Sequence, residues 1–275
     1  MKVLAILAGK EVGDGLRNRW ALTATAVLAS LALVLAFLGS APTGHVGVPP
    51  LAVAVVSLTS LTVFLVPLIA LILSHDALVT EIERGTMLLL LTYPVRRWQV
   101  ITGKFIGHSL LLGGATILGY GAAGLLIALL AGGEPDHWLA FLTLIASSIA
   151  LGMVFLSLGY LISCLVREHA TAAGIAIGLW LSLAVLFDMG LLGFLAATQG
   201  RGVSASVFRW ILLLDPTDIF RLINLAGFAE VRRYSGMAGL PALAAAPGAA
   251  LALALALWVA APLGLTVLLF SRRQL

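Results

Sequence analysis

Residues 79–104 read "VTEIERGTMLLLLTYPVRRWQVITGK". The middle of this stretch, Met87 to Val95, is as apolar as a membrane span. At about 1.5 Å per residue it would nevertheless cover only about 14 Å of a roughly 30 Å bilayer core. Glu81, Glu83 and Arg84 precede it, and Arg96, Arg97 and Lys104 follow it. A segment so short, with charge at both ends, does not cross. It predicts a short helix outside the hydrocarbon, and the fold depends on what surrounds it.

What surrounds it is lipid-soluble. The chain is 61% hydrophobic and 10% charged, with mean hydropathy +1.11, outside the range of soluble domains. A net charge of +4 and a pI near 9.6 would fit nucleic acid in a soluble protein, but here they predict cationic loops on one side of a membrane. A single cysteine, Cys164, excludes an intramolecular disulfide and a multi-cysteine metal site.

Apolar runs long enough to span fall at roughly 20–39, 51–75, 101–131, 138–165, 170–196 and 248–270. Pro67 is expected to bend the second. The segment 1–19 mixes Val3, Leu4, Ile6, Leu7, Val12 and Leu16 with charges, and reads as an amphipathic helix on the membrane surface. A ragged tail is the alternative, and no cleavable signal pattern is present. Eleven of the sixteen Lys and Arg residues fall on the side that holds residues 76–97, whereas loops 40–50 and 132–137 on the other side hold none. Positive charge marks the cytoplasmic side, so both termini and the opening stretch are expected there. The whole reads as one all-α transmembrane domain, residues 1–275, without internal repeats.

In the cytoplasm, a short helix with a greasy face and charged rims suits the groove of a soluble partner. Gly85 and Thr86 offer a break and a cap before Met87, Leu88, Leu89 and Leu90. Pro94 ends the helix, and Arg96 and Arg97 sit at headgroup level. The run Glu81, Glu83, Gly85, Thr86, the leucines, Pro94, an arginine, then Gly103-Lys104 resembles the signature of type-2 ABC (ABC-2) transporter permeases. In that family the segment is a coupling helix that docks on a separate ATPase, and the resemblance implies a type V exporter-like fold. "KEVGDGLRNRW", "FLVPLIALILSHDALVTEIERGT", "GKFIGHSL" and "LLLDPTDIFRLINLAGF" narrow the likeness to NosY-type permeases of the nitrous-oxide-reductase maturation transporter. Two departures stand out: Asp215 where Asn is expected, and a more basic "EIER". The resemblance implies a homodimer above an ATPase dimer (NosF type), a periplasmic copper-handling partner (NosD type) and a copper chaperone. Gly103-Lys104 lacks the rest of a phosphate-binding loop, so no cofactor is expected in this chain; ATP and Mg belong to the partner.

Residues 197–247 form the large extracytoplasmic segment. Asp215, Pro216 and Asp218 make a helix-start pattern, and Arg221 follows within the helix. With residues 207–214 this predicts a re-entrant hairpin at the outer surface, which by resemblance gates an exit. Arg232 and Arg233 are candidate contacts for the periplasmic partner, or simply solvated charge.

Thr171, Gly174, Gly178 and Ser182 form a small-residue stripe for close helix contact, placed by resemblance near a dimer cleft. Asp188 falls about 27 Å along that span, near the outer boundary, where it either reaches water or makes a cation or gating contact. Met153, Ser157, Tyr160 and Cys164 share one face; Met153 and Cys164 are too far apart for one metal, and packing is the favoured role. The five histidines show no metal spacing. No catalytic constellation stands out, so the chain is read as a permease without enzymatic activity. Three roles remain open: moving a sulfur species or copper, reshaping the periplasmic partner mechanically, or exporting lipid, drug or polysaccharide. A secondary transporter is disfavoured by scarce charge within the spans.

Overall fold

Long apolar runs with little interior charge have one way to satisfy their backbone in lipid, the α-helix, and the described residues take it. A computed structural model describes residues 2–17, 50–131, 135–198, 205–225 and 248–273, with scattered helical positions between 23 and 34. The helices are α1 (Lys2–Arg17), α2 (Pro50–Ser74), α3 (Val79–Glu83), α4 (Thr86–Leu91), α5 (Arg97–Ala131) and α6 (Pro135–Leu165). They continue as α7 (His169–Leu181), α8 (Phe187–Thr198), α9 (Ala205–Leu213), α10 (Pro216–Leu225) and α11 (Gly248–Arg272). A π turn, Ser182–Leu186, joins α7 to α8.

Among the described residues, five stretches are long and apolar enough to cross a membrane: Ala54–Glu83, Arg97–Leu129, Trp138–Leu165, His169–Thr198 and Gly248–Arg272. The expected span at 20–39 lies mostly outside the described residues, as do Arg232 and Arg233. Helix α5, which holds the apolar run 101–131, starts earlier, at Arg97, because Pro94 sets the break and Arg96 immediately opens a helical turn. The run 170–196 is divided by the π turn, which begins at Ser182, the last residue of the small-residue stripe.

Helix α6 is the central post, packed by α2, α5, α7, α10 and α11, while α1 lies along α5. Leu58, Val63, Val66, Val154, Phe155 and Phe220 fill the core between them. Outward-facing leucines such as Leu118, Leu129, Leu192 and Leu253 are exposed, as a lipid-facing surface requires. Most buried hydroxyls among the described residues find a partner, Ser109 Oγ being an exception. Thr59, Ser74, Thr116, Ser148 and Thr266 each donate to the carbonyl four residues back, and Thr62 also meets the Tyr120 hydroxyl at 2.6 Å. The α7–α8 rod differs: only 11% of its most apolar window is buried, against 50% for the windows of α2 and α6. Most of its surface has no neighbour among the described residues.

Helix α10 follows α9 across a short turn and packs into the bundle. It is wedged against α2, α6 and α11, with Ile219 and Phe220 fully buried. Its polar side chains are used inward: Asn224 hydrogen-bonds Ser147 of α6 and the Phe220 carbonyl. Trp258 of α11 donates to the Leu213 carbonyl, closing the α9–α10 turn against the last span.

Candidate functional site

The opening stretch folds as a knuckle. Gly85 takes φ 71°, a left-handed turn open to glycine at little cost, and this single residue reverses α3 into α4. Its N–H donates to the Ile82 carbonyl at 3.1 Å. Thr86 is not the cap: its hydroxyl reaches back to the Glu81 carbonyl at 3.2 Å, and Gly85 holds the cap position. The α3 start is capped from across the chain, since Ser163 Oγ of α6 accepts the Leu78 and Val79 N–H groups, both at 3.0 Å. Met87 turns inward and is buried, while Leu88, Leu89 and Tyr93 stand exposed, Leu89 and Tyr93 at 67% each. Pro94 and Arg96 are also exposed. Arg97 turns back and donates to the Phe270, Ser271 and Arg273 carbonyls, satisfying the last turn of α11.

Behind the knuckle lies a buried charge network. Lys104, 4% exposed, donates to Glu11 of α1 and Glu81 of α3, both at 2.8 Å. Glu11 also meets His108 Nε2 at 3.4 Å, and His108 Nδ1 pairs with the Tyr160 hydroxyl at 2.8 Å. Burial alone would raise the Glu11 carboxyl; the His108 hydrogen bond and the Lys104 charge outweigh it and bring the pKa to about 2. Gly107 makes this contact sterically possible, because a Cβ there would lie 2.6 Å from Glu11 Cβ and 2.9 Å from the Ala8 carbonyl. Gly103 likewise faces Leu7. A cavity of about 590 Å³ opens beside the network, lined by Asp14, His75, Asp76, Thr80 and Arg84 among others. Glu83 is engaged too, accepting the His169 N–H at 3.0 Å.

At the other end of the bundle, Asp215 caps α10 as its sequence position predicts. Its Oδ1 accepts both the N–H and the hydroxyl of Thr217, at 2.7 and 2.8 Å. Asp218 does not bond back to the cap. It pairs instead with Arg221 at 3.1 Å, and Arg221 also reaches Asp188. Asp188 is thus neither simply solvated nor alone.

The remaining candidates divide. Cys164 is buried against the Thr266 carbonyl, Ser157 against the Trp258 carbonyl, and Met153 is half-buried against the core, so this face of α6 packs. Thr171, Gly174, Gly178 and Ser182 are exposed on the α7 rod; a Cβ on Gly174 or Gly178 would meet nothing within 4 Å. His75 and His169, remote in sequence, meet with ring centroids 5.2 Å apart and planes tilted by 44°. Sequence reasoning missed Glu11, His108 and Ser163, and gave Tyr160 only a packing role. The one available signal was Lys104 itself: a lysine inside an apolar span requires an acidic partner.

The family description "ABC-2 family transporter protein" matches residues 5–275. The chain belongs to the ABC-2 transporter family, and is a multi-pass membrane permease. Over its full length it is 46% identical to the whole of a Pseudomonas aeruginosa protein named "Probable ABC transporter permease protein NosY". A Stutzerimonas stutzeri protein of the same name is 44% identical, with 97% of each chain covered.

Proposed function

We propose that this chain is the permease subunit of an ABC transporter serving copper-site assembly of nitrous-oxide reductase, with its knuckle seated in a separate ATPase. One observation carries the docking assignment: α4 is anchored by Met87 yet leaves Leu88, Leu89 and Tyr93 bare, a greasy surface outside the spans. In this reading Arg84, Thr86, Pro94 and Arg96 form the charged and polar rim, and Glu81 and Glu83 hold the knuckle to the bundle. Both termini lie in the cytoplasm of the bacterial inner membrane, as the Lys and Arg distribution favours.

The sparsely covered α7–α8 rod, with Gly174, Gly178 and Ser182 exposed, is the surface through which two permeases pair. A NosF-type ATPase dimer supplies ATP hydrolysis with its own Mg, and a NosD-type periplasmic protein sits opposite, with Arg232 and Arg233 as contacts. ATP-driven closure of the motor moves the knuckle and, through Lys104 and Arg97, the spans α5 and α11 together. The output is passage of a sulfur species or copper, or remodelling of the periplasmic partner.

Co-purification tests the docking. Leu88→Glu with Leu89→Glu should insert normally and lose the ATPase subunit; retention at wild-type stoichiometry would remove the knuckle as the seat. Purified complex in vesicles then separates the outputs, because ATP turnover with no movement of labelled copper or sulfur leaves remodelling.

A further inference from the structure

The hairpin end holds a second charged cluster that the docking assignment does not use. Asp188 opens α8, Asp215 caps α10, and Asp218 lies one turn into α10. One carboxylate oxygen from each lies within 4.8 Å of the others. Asp215 and Asp218 are 0% and 7% exposed, and the Oδ2 atom of each is buried with no hydrogen-bond partner among the described residues. Their Oδ1 atoms are already used, by Thr217 and by Arg221.

Buried carboxylate oxygens without partners are costly, and fixed structures seldom leave two side by side. Three carboxylates face one guanidinium, Arg221, leaving an excess of two negative charges when all are ionised. One shared proton removes half of that excess; a doubly charged cation removes all of it. Burial, with the neighbouring carboxylates, pushes Asp218 up to about 7, and burial pushes Asp215 up to about 6, against the opposing pull of Arg221. The cluster also has an open side, because Asp188 and Arg221 each retain 23% side-chain exposure.

We propose that Asp188, Asp215 and Asp218 bind one hard divalent cation, of the Ca²⁺ or Mg²⁺ class, at the hairpin end of the bundle. The donors are all carboxylate oxygens, with no thiolate or imidazole in the group, which matches hard cations rather than copper or zinc. Water completes the coordination from the open side. The bound ion ties α8 to the start of α10, two elements separated in sequence and otherwise joined there through Arg221. This site stands independently of the docking assignment at the knuckle.

The test uses the full chain in detergent or nanodiscs, stripped with chelator, and titrated calorimetrically with CaCl₂ and separately with MgCl₂. One saturable site per chain is expected for at least one of the two ions, filled by about 1 mM, the weak end of protein calcium sites. The melting temperature should rise with the same midpoint. Asp218→Asn and Asp188→Asn should each weaken binding about tenfold or more, through loss of a charged ligand. Asp215→Asn removes charge yet keeps the cap, because an amide oxygen also accepts the Thr217 N–H. No heat and no melting shift in the wild-type chain with either ion would overturn the site, leaving the carboxylates to hold a proton. Undiminished binding in an Asp188→Asn, Asp218→Asn double variant would overturn it as well.

Discussion

Lys104 Nζ lies 2.8 Å from Glu81 Oε1, so the last residue of the signature stretch closes onto its acidic beginning. The knuckle is thereby clasped at its base, and the same ammonium ties it to Glu11 of α1. The arrangement is buried, and removing one partner of such a network leaves unpaired charge. Lys104→Met should therefore destabilise the purified chain by about 3–5 kcal/mol. Adding Glu11→Gln and Glu81→Gln to Lys104→Met should restore most of the loss, read as recovery of the melting temperature. No recovery would mean that the lysine acts by its shape rather than its charge.

The two charged clusters predict opposite responses to pH. Glu11, held at about 2 in the folded chain against an ordinary 4.5, contributes stability that is complete above 4.5 and fades as pH falls toward 2. Asp215 and Asp218, raised from 3.8 to about 6 and about 7, bind protons more tightly when folded. They therefore cost stability as pH climbs from about 4 to 7. In chelator, the melting temperature should peak on the acid side of neutral and decline toward pH 7. Asp218→Asn should flatten the neutral limb and leave the acid limb unchanged.

Gly85 is the one described glycine at positive φ, and a side chain there is strained whatever the surrounding space. Gly85→Ala should cost about 1–2 kcal/mol locally and weaken ATPase co-purification with little change in membrane insertion. Gly85→Pro, which cannot adopt that φ and lacks the N–H bonded to Ile82, should abolish the association.

Close approach of α1 to α5 rests on Gly107. Gly107→Ala places a methyl against the Ala8 carbonyl and Glu11 Cβ, a crowding that costs about 1–3 kcal/mol. Limited proteolysis should then cut within residues 2–17 faster than in the wild type. Equal rates would show that α1 adjusts without detaching from the Lys104 network.

Much of the scaffold was readable from periodicity and run length. The apolar runs at 51–75, 138–165 and 248–270 correspond to α2, α6 and α11 within a few residues, because uninterrupted apolar sequence in lipid has one folded outcome. The knuckle was legible from its charge boundaries, and the α10 cap from Asp215-Pro216. What stayed hidden were cross-chain pairings. Glu11 with Lys104, His75 beside His169, and Ser163 capping α3 join residues some 85 to 94 positions apart, and local pattern says nothing about such partners. The burial of α10 was also hidden: a helix bearing Asp218, Arg221 and Asn224 reads as a surface element until Arg221 is seen on Asp218 and Asn224 on Ser147.

The π turn at Ser182–Leu186 sets the geometry just beyond it. A wide turn spends one residue more than a regular helix would, which rotates everything after it by roughly 100° about the axis. Asp188 follows immediately, so its aim toward Arg221 depends on that surplus residue. Deleting any one residue from the wide turn would straighten the rod and swing Asp188 toward the surrounding acyl chains, dismantling a carboxylate trio without touching any of its members.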